Sequence, residues 1–258
     1  MEEKTPERLF ACLCKRNPAN IEGSVKAYTR NMSLPSEIDP VRSEHLRYSY
    51  DLGERGITWA AGPFGGFQGT LSIYAVNTEE EARKAKQNDP YYINRMFYDD
   101  RYYEWFIHAP LKLASPAHRS MLEESLRKAG MAYLIGKKIR IKNPERLFVC
   151  FSKMAPLSKG SGEIVKEHFR YQFGYLWQEG LTWAGGPLGN YMGSLQIFAV
   201  SSLEEAKKAV ENDPFYIKGI FYDNEFYEWF IHMPFNKASI AHKENLRLSL
   251  TNIGIMPY

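Results

Sequence analysis

Cysteine is scarce, with only Cys12, Cys14 and Cys150 among 258 residues. Three thiols cannot close a disulfide set, so a reducing, cytoplasmic setting is expected. A charge of one sign is also missing. The 33 basic and 30 acidic residues are mixed along the chain and leave a net charge of +3. No block of like charge could track a nucleic-acid backbone. The one basic run, Lys137-Lys138-Ile139-Arg140-Ile141-Lys142, reads as a solvated linker or an edge strand. No apolar run approaches the ~18 residues of a membrane span. The charged N-terminus has no apolar core, so no signal peptide is expected. Neither nucleic acid nor membrane is therefore an expected partner. There is no HExxH, no CxxC and no close pair of histidines in the sequence, so no metal site is expected. The glycines of 62–69 resemble a phosphate loop only superficially, because they join two strands instead of opening a helix.

What is present is present twice. His45, His108 and His118 recur as His168, His232 and His242, the last two at one offset of 124 residues. Between Asp89–Leu122 and Asp213–Leu246, 19 of 34 positions are identical, including Tyr103-Glu104-Trp105-Phe106-Ile107-His108 against Tyr227-Glu228-Trp229-Phe230-Ile231-His232. The chain is a tandem duplication of one domain-sized module. Repeat 1 is taken as 1–130, a linker as 131–145 and repeat 2 as 146–258.

Each repeat reads as β-α-β-β-α-β followed by one more helix. In repeat 1, residues 8–13 are an apolar strand and 15–36 a loop insertion rich in Asn, Pro and Ser. Residues 37–55 read as a helix, 57–61 and 69–76 as a hairpin, and 102–109 as the last strand. Thr78 caps an acidic helix that ends at Asp89-Pro90, because the residue before proline avoids helical geometry. Ser115-Pro116 opens the added helix. The second repeat follows with strands near 146–152, 181–185, 193–200 and 225–233. Its helices fall near 162–180, 202–212 and 240–252. This order gives an α+β, ferredoxin-like layout, with both helices on one sheet face. The bare face needs a cover, and the other repeat can supply it. The expectation is an intrachain pseudo-dimer, sheet to sheet, mimicking a homodimeric α/β barrel.

The motifs then become specific. They are His45-Leu46-Arg47, Gly56-Ile57-Thr58-Trp59-Ala60-Ala61-Gly62-Pro63, Glu80-Glu81-Ala82 and Asp89-Pro90-Tyr91. Repeat 2 has His168-Phe169-Arg170, Gly180-Leu181-Thr182-Trp183-Ala184-Gly185-Gly186-Pro187, Glu204-Glu205-Ala206 and Asp213-Pro214-Phe215. Over most of both repeats this resembles the YCII-related domain of the dimeric α/β-barrel superfamily, which also holds muconolactone isomerases, chlorite dismutases and cofactor-free monooxygenases. The resemblance implies a ferredoxin-like fold and a His/Asp active centre, carried here by His45 with Asp89 and by His168 with Asp213. One YCII-like enzyme type removes chloride from a chlorinated hydroxyquinol. The tandem fusion, the 15–36 insertion and the added helix depart from the family pattern. Haem ligation by a His occurs in the superfamily, but nothing in this sequence selects one of the duplicated histidines, and no cofactor is expected.

Histidine exchanges protons near neutral pH, and an aspartate on one ring nitrogen fixes its tautomer and supports its charged form. Such a pair suits proton abstraction beside a carbonyl, enol tautomerisation or elimination. The alternative is a pair that only staples a helix to a loop. On the last strand, period-two geometry puts Tyr103, Trp105 and Ile107 on one face and Glu104, Phe106 and His108 on the other. The first set is expected to meet the helices. Glu104, His108, Glu228 and His232 would then face the inter-sheet side with Arg8, Phe10, Cys12, Thr70, Ser72 and Tyr74. So polar a face implies either a hydrated pocket or a buried Arg–Glu network such as Arg8 with Glu104. His118 and His242 read as capping or packing residues. The expected activity is a small-molecule lyase or isomerase on a catabolic, ring-derived intermediate. Trp59, Trp183, Tyr91, Phe215, Glu104, His108, Glu228 and His232 would contact the substrate. The competing readings are a non-catalytic ligand-binding or interaction module and a cofactor-free monooxygenase.

Overall fold

The computed structural model describes residues 7–17, 40–158 and 161–257. In repeat 1 the elements are β1 (Phe10–Arg16), α1 (Pro40–Glu54), β2 (Thr58–Pro63), β3 (Gly69–Tyr74), α2 (Glu79–Gln87), α3 (Pro90–Ile93), β4 (Phe97–Glu104) and α4 (Pro116–Lys128). Repeat 2 has β5 (Leu147–Met154), α5 (Gly162–Tyr171), β6 (Thr182–Pro187), β7 (Gly193–Ala199), α6 (Leu203–Glu211), α7 (Pro214–Ile217), β8 (Phe221–Trp229) and α8 (Ile240–Asn252). Two four-stranded antiparallel sheets result, ordered β2-β3-β1-β4 and β6-β7-β5-β8. With their helices they make an α+β chain of two ferredoxin-like modules. No helix among the described residues is long and apolar enough to cross a membrane. Of the expected 15–36 loop, Lys15 and Arg16 instead complete β1, and 18–36 lie outside the described residues.

Local chemistry explains the elements that frame the site. Thr78 and Glu81 close a capping box at the start of α2, with Glu79 and Glu80 beside them in the first turn. Asp89 and Asp213 do more than end a helix. Each caps a further short one, α3 or α7, with proline at its first position. Sequence reading missed both, since four residues carry no periodicity. Repeat 2 has one residue more than repeat 1 between its histidine and the glycine ahead of β6. The chain absorbs it in a π-helical stretch, Gln172–Trp177, that continues α5. In both hairpins the register slips at the tryptophan, between Thr58 and Ala60 and between Thr182 and Ala184. Trp59 and Trp183 are thus bulge residues, and bulges re-aim side chains.

Two expectations need correction. The last strand does not run over 102–109. β4 begins at Phe97 and ends at Glu104, and the following residues leave the sheet of their own repeat. Phe106 N–H donates to Pro187 O at 3.0 Å, His108 N–H to Gly185 O at 2.8 Å, and Gly185 N–H to Ala109 O at 2.7 Å. Reciprocally, Phe230 N–H donates to Pro63 O at 3.1 Å, His232 N–H to Ala61 O at 2.8 Å, and Ala61 N–H to Met233 O at 2.7 Å. Each tail covers the open edge of the other repeat's sheet, at β6 or β2. The aromatic run through the strand end gave no sign of this change of partner.

The second correction is the face assignment. Phe10, Cys12 and Tyr74 do not face away from the helices; they pack with Leu52, Ala82, Ala85 and Tyr102. Phe148, Cys150 and Phe198 do the same with Leu176, Ala206, Ala209 and Val210. Small alanines on α2 and α6 leave room for aromatic side chains below them. Trp105 and Ile107 are buried, and neither belongs to the core that holds Leu52, Ala82 and Ala85. Trp105 Nε1 donates to Gly186 O and Leu195 O, both at 3.2 Å.

The compact units therefore do not follow the repeat boundaries. One holds Glu104–Glu228, the other Arg8–Tyr103 with Trp229–Tyr258. In the first, Ala109, Leu111, Leu122, Leu126, Met131 and Leu134 build a core with Phe173 and Trp177. In the second, Leu46 packs with Met233, Phe235, Leu246, Leu250 and Ile253. The basic run 137–142 forms no strand. It is tied down where Lys142 N–H donates to Gly180 O at 2.8 Å.

Candidate functional site

His45 projects from α1, a helix fixed to α2 by Tyr48, whose hydroxyl donates to Ala85 O at 2.7 Å. Its Nδ1 lies 2.7 Å from Asp89 Oδ1. The same oxygen accepts the Tyr91 N–H at 2.9 Å as the cap of α3. Capping thus holds the carboxylate still while the imidazole meets it. The Tyr91 ring then lies flat on His45, with centroids 4.0 Å apart and planes 8° off parallel. The second copy repeats this. His168 Nδ1 is 2.7 Å from Asp213 Oδ1, Phe215 N–H donates to that oxygen at 2.8 Å, and the Phe215 ring stacks on His168 at 3.9 Å and 8°. The Asp-Pro-aromatic motif therefore supplies the carboxylate, the turn and the stacking ring in three residues.

Electrostatics assign the protons. Burial alone would push the Asp89 carboxyl up. The His45 imidazole, its hydrogen bond, the Lys86 ammonium and the Tyr91 N–H together hold it below the usual carboxylate value. An ionised carboxylate only accepts, so His45 Nδ1 carries the proton and donates it. In the neutral form of such a ring Nε2 is the basic atom. Among the described residues Nε2 has no hydrogen-bond partner. The His45 side chain is 23% exposed and Asp89 is 7% exposed, so the base is accessible and its partner is not.

The second carboxylate oxygen is held differently in the two copies. Lys86 Nζ, 2% exposed, is 3.9 Å from Asp89 Oδ2. Burial works against that ammonium; the acidic groups around it, Cys14, Tyr74 and Asp89 foremost, keep it protonated. In repeat 2, Val210 takes the lysine's place, and Gln172 Nε2 donates to Asp213 Oδ2 at 2.6 Å. Neither Lys86 nor Gln172 was singled out from sequence. An isolated lysine on the apolar side of α2 was the available signal for the first. The π-helical residue gave none.

The remaining predicted contacts divide. His108 does not lie with the His45 dyad of its own repeat; it belongs to the unit that holds His168, and His232 to the unit that holds His45. His108 Nε2 is 2.9 Å from His118 Nδ1, and His232 Nε2 is 2.9 Å from His242 Nδ1. His118 stacks on Phe106 at 4.5 Å and His242 on Phe230 at 4.2 Å. Of the two expected roles, capping or packing, His118 and His242 take the second, and each also partners a second imidazole. The shared spacing of ten residues in both copies was a legible signal for this. Burial pushes His108 down to about 3, helped by His118 and His168. His232 is likewise pushed down to about 3 by burial, His242, His45 and Arg42. These two imidazoles stay neutral. Burial lowers His118 as well, with Glu104 opposing it.

Glu228 of β8 pairs with Arg146, the residue just ahead of β5, at 3.0 and 2.8 Å. This is a surface pair within repeat 2, with Arg146 47% and Glu228 28% exposed, and not the buried Arg–Glu network that was expected. Glu104 is partly buried near Gly189. Trp59 is buried, with Lys237 Nζ 4.4 Å above its ring and donating to its carbonyl at 2.9 Å. Trp183 is partly buried. Neither Trp59 nor Trp183 stacks on a dyad histidine. All three cysteines are free and buried. Among the described residues no group of three or more His, Cys, Asp or Glu could hold a metal ion.

No protein-family model matches this chain, and no curated protein does. Solved structures do. The chain is similar to a 5-chloro-2-hydroxyhydroquinone dehydrochlorinase from Burkholderia phenoliruptrix, in complex with 2,5-dihydroxybenzoquinone. That match has 30% identity, covers 31% of this chain and 89% of the other, and has a TM-score of 0.25. It is similar to a protein assigned as a monooxygenase from Lactobacillus acidophilus, at 9% identity over 88% of this chain and 94% of the other, with a TM-score of 0.40. A third, assigned as a chlorite dismutase, is 10% identical over 87% of this chain and 94% of the other, with a TM-score of 0.48.

Proposed function

We propose that this chain is a small-molecule lyase or isomerase. Its His45–Asp89 and His168–Asp213 dyads move a proton between oxygen and carbon of an enolisable or halogenated, ring-derived substrate. One observation carries this reading. In both copies an aspartate held by a helix cap meets Nδ1 at 2.7 Å, a flat ring braces the imidazole, and Nε2 is left as the basic atom. A staple between helix and loop would need the hydrogen bond alone. It would not need the same stacking, within 0.1 Å and at the same angle, on Tyr91 in one copy and Phe215 in the other.

The chemistry follows from the geometry. Nε2 takes a proton from a hydroxyl or from a carbon beside a carbonyl, and the carboxylate supports the imidazolium. The imidazolium then returns the proton to a carbon of the delocalised anion. On a chlorinated hydroxyquinol, the proton passes from a ring hydroxyl to the chlorine-bearing carbon. Chloride then leaves as a second hydroxyl loses its proton, and the ring becomes a quinone with net loss of HCl. No electrons enter or leave the ring from outside, and this proton transfer needs no metal. General acid–base help of this kind is worth roughly 10²–10⁴ in rate.

The test is the double variant His45→Asn with His168→Asn, assayed for chloride release from 5-chloro-2-hydroxyhydroquinone and for isomerisation of enolisable ring-derived ketones. Turnover by the parent chain and none by a folded double variant supports the reading. Full turnover by the double variant removes the dyads from the chemistry.

A further inference from the structure

The two halves of the chain exchange their tails, and the exchange brings chemistry with it. The unit that contains the His45–Asp89 dyad also contains His232 and His242, and the unit that contains His168–Asp213 also contains His108 and His118. The pairs are near the dyads: Leu46, next to His45, shares a core with Met233, next to His232, Gly53 of α1 faces the Pro234 backbone, and Phe169, next to His168, packs on the core that holds Ala109, next to His108. Resting on the acid–base reading above, the geometry points to a reaction centre assembled across repeats. The imidazole pair of one repeat is the second proton-transfer partner of the dyad of the other.

The pairs are built to a fixed geometry. His108 N–H and His232 N–H are tied to β6 and β2 at 2.8 Å in both cases. One residue before each, the Ile107 N–H donates to Ser115 Oγ at 3.0 Å and the Ile231 N–H to Ser239 Oγ at 2.8 Å. Those hydroxyls open α4 and α8 without capping them. They lock the tail to the helix that carries the second histidine. The outcome is the same 2.9 Å bond between the same ring atoms in both copies. Support of a tail could be had from apolar residues; two imidazoles at matched distance, twice, serve proton exchange.

A neutral imidazole pair holds one proton in its shared bond and one on an outer nitrogen. If His118 Nδ1 carries the shared proton, His108 Nδ1 carries the outer one and can donate it. After that donation the shared proton crosses to His108 Nε2, and His118 Nε2 takes up a replacement from solvent. One proton enters at His118, one leaves at His108, and both rings end neutral in the other tautomer. Lyase and isomerase chemistry needs such a second group. While His168 Nε2 removes a proton at one atom, the pair gives one to the oxygen or leaving group at another.

The experiment uses the full chain with ring-¹⁵N histidine, followed by NMR at neutral pH. Loss of a neighbouring ring changes local shielding, so His108→Asn is expected to move the ring ¹⁵N resonances of His168 and leave those of His45. His232→Asn is expected to move those of His45 and leave those of His168. His108→Gln and His232→Gln serve where the Asn variants fail to fold. The opposite pattern, or no shift in either dyad, overturns the cross-repeat assembly. Turnover of 5-chloro-2-hydroxyhydroquinone is the second arm. H45N/H232N has both lesions in one centre and should keep the rate of H45N alone, whereas H45N/H108N has one lesion in each and should fall to background. H168N/H108N against H168N/H232N is the mirror comparison. If both members of each comparison keep the single-variant rate, the pair transfers no proton that matters. If the parent chain turns over no substrate, the acid–base reading fails and takes the pair's catalytic part with it, while the NMR arm still decides the assembly.

Discussion

Lys86 Nζ sits 3.9 Å from Asp89 Oδ2, whereas the equivalent oxygen of Asp213 receives a hydrogen bond from the neutral Gln172 at 2.6 Å. The two dyads look alike from the histidine side and differ behind the carboxylate. In repeat 1 the aspartate answers a buried cation as well as an imidazole. In repeat 2 it answers an amide and an imidazole.

That difference predicts unequal costs for one substitution. Asp89→Asn leaves Lys86 buried without its carboxylate, and breaking a buried pair from one side costs about 3–5 kcal/mol. Asp213→Asn leaves only a neutral amide to re-pair, at about 1–3 kcal/mol. Urea denaturation of the full chain should rank D89N well below D213N. K86M/D89N should recover most of the loss, since a buried ion pair replaced by apolar volume is often close to neutral. Equal losses in D89N and D213N would show that Lys86 does not depend on Asp89.

Acid should unfold the chain in a defined window. His108 and His232 sit at about 3 when folded, against about 6.5 in an unfolded chain. Below that value the unfolded state binds more protons than the folded one. Stability is therefore whole above about pH 6.5 and declines as the pH falls toward 3. Asp89, held below its ordinary value, adds a further loss once the pH passes under about 3.9 and through its folded value. Denaturation midpoints should fall steadily for the parent chain between about pH 6.5 and pH 4. For H108Q/H232Q they should fall less steeply. Parallel slopes would contradict the neutral state of these rings.

The tail exchange depends on two glycines. A Cβ at Gly62 would stand 1.9 Å from Phe230 O, and one at Gly186 would stand 1.9 Å from Phe106 O. Backbone cannot yield to that overlap without breaking the bonds that carry His232 and His108. G62A and G186A should each destabilise the chain by more than about 1–3 kcal/mol, the usual cost of overpacking. In G62A the loss should centre on 229–257, read by hydrogen exchange. A variant with unchanged protection there would contradict the close approach.

The stacked rings should matter to rate more than to fold. Tyr91 is partly exposed, and its backbone, not its ring, completes the cap of α3. Tyr91→Leu should keep most of the stability, since the ring's aromatic stacking is worth about 0.5–1.5 kcal/mol. The freed imidazole should raise KM little and lower kcat in the centre that holds His45. Unchanged kcat in Y91L/H168N relative to H168N would show that the imidazole needs no such brace.

Much of this was legible in the sequence because the duplication made each motif its own control. Element order and the cap at Thr78 followed from the residue pattern, and the meeting of His45 with Asp89 was implied by the family resemblance of the motifs. The exchange of tails was not. Tyr103 through His108 reads as one uninterrupted alternating strand, and hydrogen-bond partners leave no mark on periodicity. The face assignment failed for a related reason. With Phe10, Cys12 and Tyr74 on one side and Leu9, Ala11 and Ile73 on the other, both faces of the strands are apolar enough to be core. Lys86 and Gln172 escaped because each acts on an aspartate far away in sequence, through a burial that local pattern does not encode.

The most direct measurement is solvent isotope incorporation during turnover of the chlorinated hydroxyquinol in D₂O. If the dyads pass a proton to carbon, the parent chain should place deuterium on the ring carbon that loses chlorine, seen by mass spectrometry of the trapped quinone product. The folded H45N/H168N variant should place none above the uncatalysed rate. Equal incorporation by both proteins, or chloride release by the parent with no proton transfer to carbon, would contradict the account.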